Sequence, residues 1–313
     1  MTTEKKRRSN PYDYNWPVTD SKLFAGRKEE LALAQEEIKK LLAEPSTSPM
    51  IAIAGERRVG KTSFLNELEK ECQTYPLLTA RLDLTGDTAT SPWDFWRALF
   101  GLIIQSLKMR GLLVPSNSLP SLGFKTSTTN GQGLEVEPSI ESLQFGEIYR
   151  DSVLSRAPIP VYVLQEDLRL LCEWALRGGY RGILIMIDEA QLLVDSDEIQ
   201  QQLRHAVAKA GKCGVVFSGS PPLGRMFNDV GKAFYGGQVF LIPLQNFLNI
   251  DYVAECALLP LSEDERQLMN PMTIEYLARL SQGKPNQIRL ICSGIYSCFE
   301  RGEQDDLNVS IRT

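Results

Sequence analysis

The sequence predicts an α/β fold: a mostly parallel sheet sandwiched by helices, followed by a small all-helical lid domain. Three observations carry this. Short runs rich in β-branched residues alternate with amphipathic stretches up to about residue 244, the pattern of strands joined by crossover helices. The first such run, SPMIAIAG, enters a glycine loop that opens a helix. After Leu244 the strand-like runs stop and apolar-periodic stretches follow one another. The expected division is an N-terminal arm at 1–22, a sheet domain at 23–244 with a long insertion at about 113–160, and the lid at 245–313.

Residues 1–20 are polar and carry Pro11 and Pro17, which suits an extended arm. In GRKEELALAQEEIKKLLAE, Leu31, Ala34, Ile38 and Leu41 fall on one helical face. KTSFLNELEKECQ reads as a helix and PLLTARLDLTG as a second strand. SPWDFWRALFGLIIQSLKMRG is a long helix opened by Ser91 and Pro92. Trp93, Phe95 and Trp96 at its start read as packing residues, because no basic residues interleave them as in a base-stacking surface. The stretch PSNSLPSLGFKTSTTNGQGLEVEPS is rich in Ser, Thr, Gly and Pro and too long for an ordinary connection. It is expected to be partly disordered or to contact a partner. Pattern resumes with the helix LQEDLRLLCEWALRGG, the strand GILIMIDEA, the helix DEIQQQLRHAVAKAG and the strands CGVVFSGS and GQVFLIPL. In the lid, PNQIRLICSGIYSCFERG places Ile288, Ile291, Ile295 and Phe299 on one face.

Composition narrows the function classes. Of 313 residues, 43% are hydrophobic and 23% charged, ordinary values for a globular chain with a real core. A net charge of −5 argues against a surface that attracts nucleic acid as a whole and leaves room only for a local basic patch. The cluster Lys5 to Arg8 reads as a solvated tail. No apolar run approaches the ~20 residues that span a bilayer, and no apolar region follows the charged N-terminus. No membrane partner and a cytoplasmic location are therefore expected. The six cysteines form no CxxC pair and read as buried thiols in a reducing compartment. The single histidine, His205, makes a His-based metal centre or a serine–histidine triad improbable and reads as a surface residue.

The chemistry concentrates in AGERRVGKTSF. Gly55, Gly60, Lys61 and Thr62 match GxxxxGK[ST] without a gap. Glycines let such a loop wrap tightly, so that the N–H groups of Glu56, Arg57, Arg58, Val59 and Ser63 are candidates to cradle phosphate oxygens. The following helix offers its positive N-terminus to the same anion. Lys61 is a point charge able to reach β- and γ-phosphates, and Thr62 is a candidate Mg²⁺ ligand. ILIMIDEAQ then ends a buried strand in Asp188 and Glu189. Asp188 is the second candidate metal ligand and Glu189 the candidate base for an attacking water. Ser218 and Ser220 stand at a third strand end, as γ-phosphate or water contacts or as ordinary turn serines.

With these residues in this order, the chain resembles the P-loop ATPases of the AAA+ and STAND group. It is similar to the archaeal and bacterial ATPases related to origin-recognition proteins over about Asn10 to Gly302. The resemblance implies ATP or ADP with Mg²⁺ as cofactor, with GERRVGKTSFL as Walker A and ILIMIDEAQ as Walker B. FAGRKEEL resembles the box that packs on adenine and ribose, implicating Phe24, Gly26 and Arg27. GKPNQIRL resembles the motif that starts the lid helix over the nucleotide, implicating Pro285, with Arg289 near a sensor-arginine position. Relatives often carry an arginine directly after a Tyr–Gly pair, where this chain has Gly237; Arg225 is the candidate trans-acting finger, against a surface arginine. The implied function is an ATP-hydrolysing molecular switch that couples nucleotide state to lid angle and self-assembly, with an effector or sensor partner, in signalling or defence. The alternative is a DNA-handling loader or transposition regulator built on the same core, and a third reading is a non-hydrolysing scaffold.

Overall fold

A computed structural model describes residues 9–43, 47–112, 143–152, 157–236 and 239–308. The Lys5 to Arg8 cluster, Gly237 and most of the expected insertion lie outside the described residues. In chain order the regular elements are α1 (Lys28–Lys39), β1 (Met50–Gly55), α2 (Lys61–Cys72), β2 (Leu77–Asp83), α3 (Gly86–Thr90), α4 (Pro92–Met109), α5 (Gln144–Ser152) and α6 (Val161–Arg177). They continue as β3 (Gly182–Asp188), α7 (Asp197–Ala210), β4 (Cys213–Gly219), α8 (Arg225–Asn228), β5 (Phe240–Leu244), α9 (Ile250–Leu258), α10 (Glu263–Arg266), α11 (Pro271–Ser281) and α12 (Pro285–Glu300). No described helix is long and apolar enough to cross a membrane. By packing, the chain divides into two compact units. One holds residues 33–54 and 69–242; the other holds residues up to 32, 55–68 and 243 onward.

The larger unit is built on the sheet, whose strand order is β2-β3-β4-β1-β5. The pairs β2–β3, β3–β4 and β4–β1 are parallel. All seven residues of β3 and all seven of β4 are buried. Strands covered on both faces need such continuous apolar runs, which is why ILIMI and CGVVF carry no alternation. Parallel pairing has a second consequence. The C-terminal ends of these strands emerge along one edge of the sheet, with Asp83 opposite Asp188 and Ile53 opposite Ser218. The acid pair of β3 and the end of β1 thus share an edge of the sheet.

Helix α4 starts as its sequence signals. The Ser91 hydroxyl accepts the Asp94 N–H at 3.2 Å and Pro92 occupies the first turn. Phe95, Trp96 and Phe100 are fully buried, and the Trp96 indole N–H donates to Gln202 Oε1 at 2.8 Å. The packing role expected of these aromatics holds. His205 is exposed on α7.

One part of the expected insertion differs. Residues 144–152 form α5, and Leu143 and Phe145 are fully buried. The reason is aromatic: the Phe145 ring lies 5.4 Å from those of Trp93 and Phe100. Burying a side chain of this size contributes about 1.5–3 kcal/mol, and its three-residue neighbourhood gives no periodicity to read. Asp167 on α6 completes the join. Its carboxylate accepts the N–H groups of Gln144 at 3.0 Å and Phe145 at 2.7 Å, donors that the first turn of a helix leaves without partners in the helix itself.

The smaller unit has its own core, formed by Tyr12, Phe247, Leu277, Ile288, Cys292 and Tyr296 among others. The N-terminal arm belongs to it. Asn10 Nδ2 donates to the Ser293 carbonyl at 2.9 Å, the Tyr12 hydroxyl to the Ala257 carbonyl at 2.5 Å, and Asn286 Nδ2 to the Tyr14 carbonyl at 2.5 Å. The arm is irregular in backbone yet bonded at each of these points to the C-terminal helices.

Burial pushes the Asp167 carboxyl up to about 6, opposed by the Phe145 and Gln144 N–H groups. Because the folded group holds its proton more tightly than the unfolded one, its contribution favours the fold most below pH 4 and is lost as pH rises through about 6. Asp167→Asn is expected to flatten the wild-type dependence of the urea midpoint between pH 4.5 and 7. Asp167→Ala, which leaves the buried Phe145 N–H without its acceptor, is expected to lose about 1–3 kcal/mol at neutral pH.

Candidate functional site

The smaller unit carries the glycine loop. β1 ends at Gly55, and the helix begins at Lys61. A Cβ on Gly55 would lie 2.5 Å from the Leu244 carbonyl and 2.9 Å from Val59 Cγ2, so only glycine lets the chain turn there. Glu56, Arg57 and Arg58 are exposed, and Arg58 adopts a left-handed φ of 68°. Lys61 Nζ folds back over the loop and donates to the carbonyls of Gly55 and Glu56, both at 2.9 Å. Thr62 lies in the first turn of α2. Ser63 Oγ accepts the Val18 N–H at 2.9 Å, and Asn66 Nδ2 donates to the Val18 carbonyl at 2.9 Å. The arm is therefore tied to α2 through both main-chain groups of one residue.

Two predicted site arginines are engaged with main chain. Arg27 is 6% exposed and donates through Nη2 to the carbonyls of Gln245 and Val59 and through Nη1 to Glu30 Oε1 at 2.9 Å. Its guanidinium also sits 4.7 Å from the centre of the Phe247 ring. Arg289, 7% exposed, donates to the Leu23 carbonyl at 2.9 Å and the Asp13 carbonyl at 3.4 Å. Gly26 donates its N–H to Glu255 Oε2 at 2.7 Å, and the Phe24 ring packs 6.4 Å from that of Phe64.

These residues lie at a cleft within the smaller unit that is open to solvent. Val18, Leu23, Phe24 and Ala25 of the arm form one wall, and Val59, Gly60 and Ser63 of the loop and α2 form another. Phe247, Cys256, Pro285 and Arg289 close it. Burial pushes the Cys256 thiol up, with the Arg289 guanidinium opposing, so this wall is a neutral thiol. The cleft thus combines a phosphate-type loop with a largely apolar shelf.

In the larger unit, Asp188 is 4% exposed. Its Oδ1 accepts the Glu189 N–H at 3.0 Å and the Ser218 hydroxyl at 2.9 Å, while Oδ2 accepts Arg81 Nη2 at 3.2 Å. Glu189 is exposed, in a left-handed conformation with φ 53°. That conformation turns it out of the strand, and its Oε2 accepts a hydrogen bond from Gln191 Nε2. Gln191 Oε1 in turn accepts the Ser220 N–H at 3.0 Å. Of the two predicted serines, then, Ser218 supports the aspartate through its hydroxyl, and Ser220 supports the Glu189–Gln191 pair through its main chain. Arg225 opens the four-residue α8, is half exposed and lies 4.0 Å from Asp195 Oδ1. Among the described residues no cluster of three or more His, Cys, Asp or Glu could hold a metal alone. A buried carboxylate oriented by two donors is a hard-oxygen group of the kind Mg²⁺ takes alongside phosphate.

The AAA domain family matches residues 43–227, more than half of the chain, including the glycine loop and the acid pair. The chain belongs to the AAA domain family. No curated protein sequence matches it. Among solved structures, the Walker-type ATPase paby2304 of Pyrococcus abyssi superposes with a TM-score of 0.58 at 17% identity, over 95% of this chain and 73% of that one. The Aeropyrum pernix ORC2 protein, solved as ADPNP–ADP complexes, gives a TM-score of 0.53 at 13% identity, over 96% of this chain and 68% of that one. At such identities the likeness is one of fold.

Several residues at these sites carry no motif signature: Val18 and Leu23 on the arm, Gln191, and the group Glu69, Arg81 and Asp83. Main-chain ties such as those of Val18 leave no residue-type signature. Arg81 had a faint one, a charge alternating with the buried Ala80 and Leu82 and two residues from Asp83 on the same strand face.

Arg289→Ala removes the charged donor from two arm carbonyls. Removing it is expected to cost about 1.5–3 kcal/mol of stability. It should also raise the rate of limited proteolysis between Asn10 and Leu23, measured by mass spectrometry.

Proposed function

We propose that this AAA domain binds ATP with Mg²⁺, hydrolyses it and acts as a molecular switch. The observation that carries the reading is the cleft of the smaller unit, in which Val59, Gly60 and Ser63 meet the apolar Leu23, Phe24 and Pro285. A nucleoside phosphate needs this pairing of anion-binding main chain and apolar shelf.

On this reading the loop N–H groups and Lys61 grip the phosphates. The two carbonyls that Lys61 now contacts hold its ammonium over the loop, where a phosphate oxygen is a stronger partner than a neutral carbonyl. Thr62 and Asp188 hold the metal, which when bound supplies charge neutralisation of the phosphate oxygens. Ser218 and the Glu189 N–H keep Asp188 oriented. Glu189 orients and deprotonates the attacking water, with Gln191 fixing its carboxylate. Arg27 and Arg289 act on the main chain around the cleft, one on the loop and one on the arm, and the arm reports cleft occupancy to α12. Self-assembly in the ATP-loaded state, with an effector or sensor partner, is the output, because a ligand moves an equilibrium only by contacting its states differently.

Lys61→Ala is expected to abolish heat of binding when ATP and Mg²⁺ are titrated, with an unchanged circular dichroism spectrum; retained affinity refutes the assignment. Glu189→Gln is expected to keep ATP binding and lose about 10²–10⁴-fold in turnover. Equal turnover in wild type and variant would instead support a scaffold. Light scattering with ADP and with a non-hydrolysable ATP analogue tests the switch: equal masses in the two states count against it.

A further inference from the structure

Arg81 faces three carboxylates beside the acid pair. Its Nη2 lies 3.2 Å from Asp188 Oδ2, its Nε 3.1 Å from Asp83 Oδ1 and its Nη1 4.0 Å from Glu69 Oε2. The arginine side chain is 17% exposed and that of Asp188 6%. The assembly follows from the sheet. Parallel register sets Asp83 opposite Asp188, and residues two apart on a strand share a face, so Arg81 stands beside both carboxylates.

The other oxygen of Asp188 decides what Arg81 can contribute. Oδ1 already accepts the Glu189 N–H and the Ser218 hydroxyl, so the carboxylate keeps its orientation without the arginine. What Arg81 adds is a positive charge against a carboxylate shielded from water. A divalent cation that uses the same carboxylate meets that charge as a competitor.

We propose that Arg81 is a resident counter-cation that weakens metal capture at Asp188, so that the metal enters with nucleotide phosphate rather than alone. This rests on the nucleotide reading above. Arg81 is a positioning residue: it acts through its charge beside Asp188. Asp83, 72% exposed, and Glu69 moderate it by sharing its guanidinium.

The test is Mn²⁺ affinity of the ADP-loaded full chain, read from the free Mn²⁺ signal in electron paramagnetic resonance, with ADP affinity measured separately in EDTA. Arg81→Gln is expected to bind Mn²⁺ at least about fivefold more tightly, and Arg81→Lys, which keeps the charge, within about twofold of wild type. ADP affinity in EDTA is expected to be equal in all three. Unchanged or weaker Mn²⁺ binding in Arg81→Gln overturns the proposal and identifies the ion pair as structural. If wild type binds no ADP, the nucleotide reading fails instead. Should Arg81→Gln not fold, Asp83→Asn serves. Releasing Arg81 from a rival acceptor is expected to weaken Mn²⁺ binding, and tighter binding there overturns the proposal.

Discussion

Between Gly55 and Lys61 a buried strand has to become a helix within five residues, and the rest of the site depends on that turn. The constraint is steric before it is electrostatic. A side chain at Gly55 would run into the Leu244 carbonyl, and Arg58 accepts a left-handed backbone for the loop to close. Once closed, the loop stands at the first turn of α2, whose N–H groups find no partners in the helix itself. The same turn brings Val59 and Gly60 to the cleft wall and lets Lys61 fold back on the carbonyls of Gly55 and Glu56.

Around this loop the arginines divide their work in a way their motifs do not announce. Arg27 and Arg289 come from stretches that resemble base-packing and lid motifs, yet both hold carbonyl groups. A guanidinium has five donors and no acceptor, so one buried arginine can satisfy several main-chain oxygens that an irregular segment leaves unpaired. The N-terminal arm is such a segment. Its residues 10–26 have little regular structure, and side chains of α2, α9 and α12 supply several of its hydrogen bonds. Arg81 meets carboxylates instead, because the register of β2 on β3 sets Asp188 opposite Asp83, two residues along its own strand.

The acid pair shows how one dipeptide yields two environments. Asp188 ends a fully buried strand, and the chain leaves it through a left-handed residue. The aspartate therefore stays inside, held by Ser218 and the next N–H, while Glu189 turns outward to solvent and Gln191. An adjacent pair in extended backbone would also point opposite ways, but neither would gain the hydrogen bond from its neighbour's main chain.

Much of this was legible in the chain itself. Periodicity and burial demand decide where β1, β3, β4 and the long helices lie, because a parallel strand covered on both faces can only be an apolar run. GxxxxGK[ST] and the terminal Asp–Glu are local patterns whose chemistry follows from spacing, and AAA membership accords with them. Tertiary structure alone decided the remainder. Phe145 is core because Trp93 and Phe100 wait for it, and Asp167 caps a helix more than twenty residues before it in sequence. Val18 ties the arm to α2 through atoms every residue possesses. Contacts made by main-chain groups, or set by the register of distant strands, leave no mark on residue type, and so no reading of residue types could recover them.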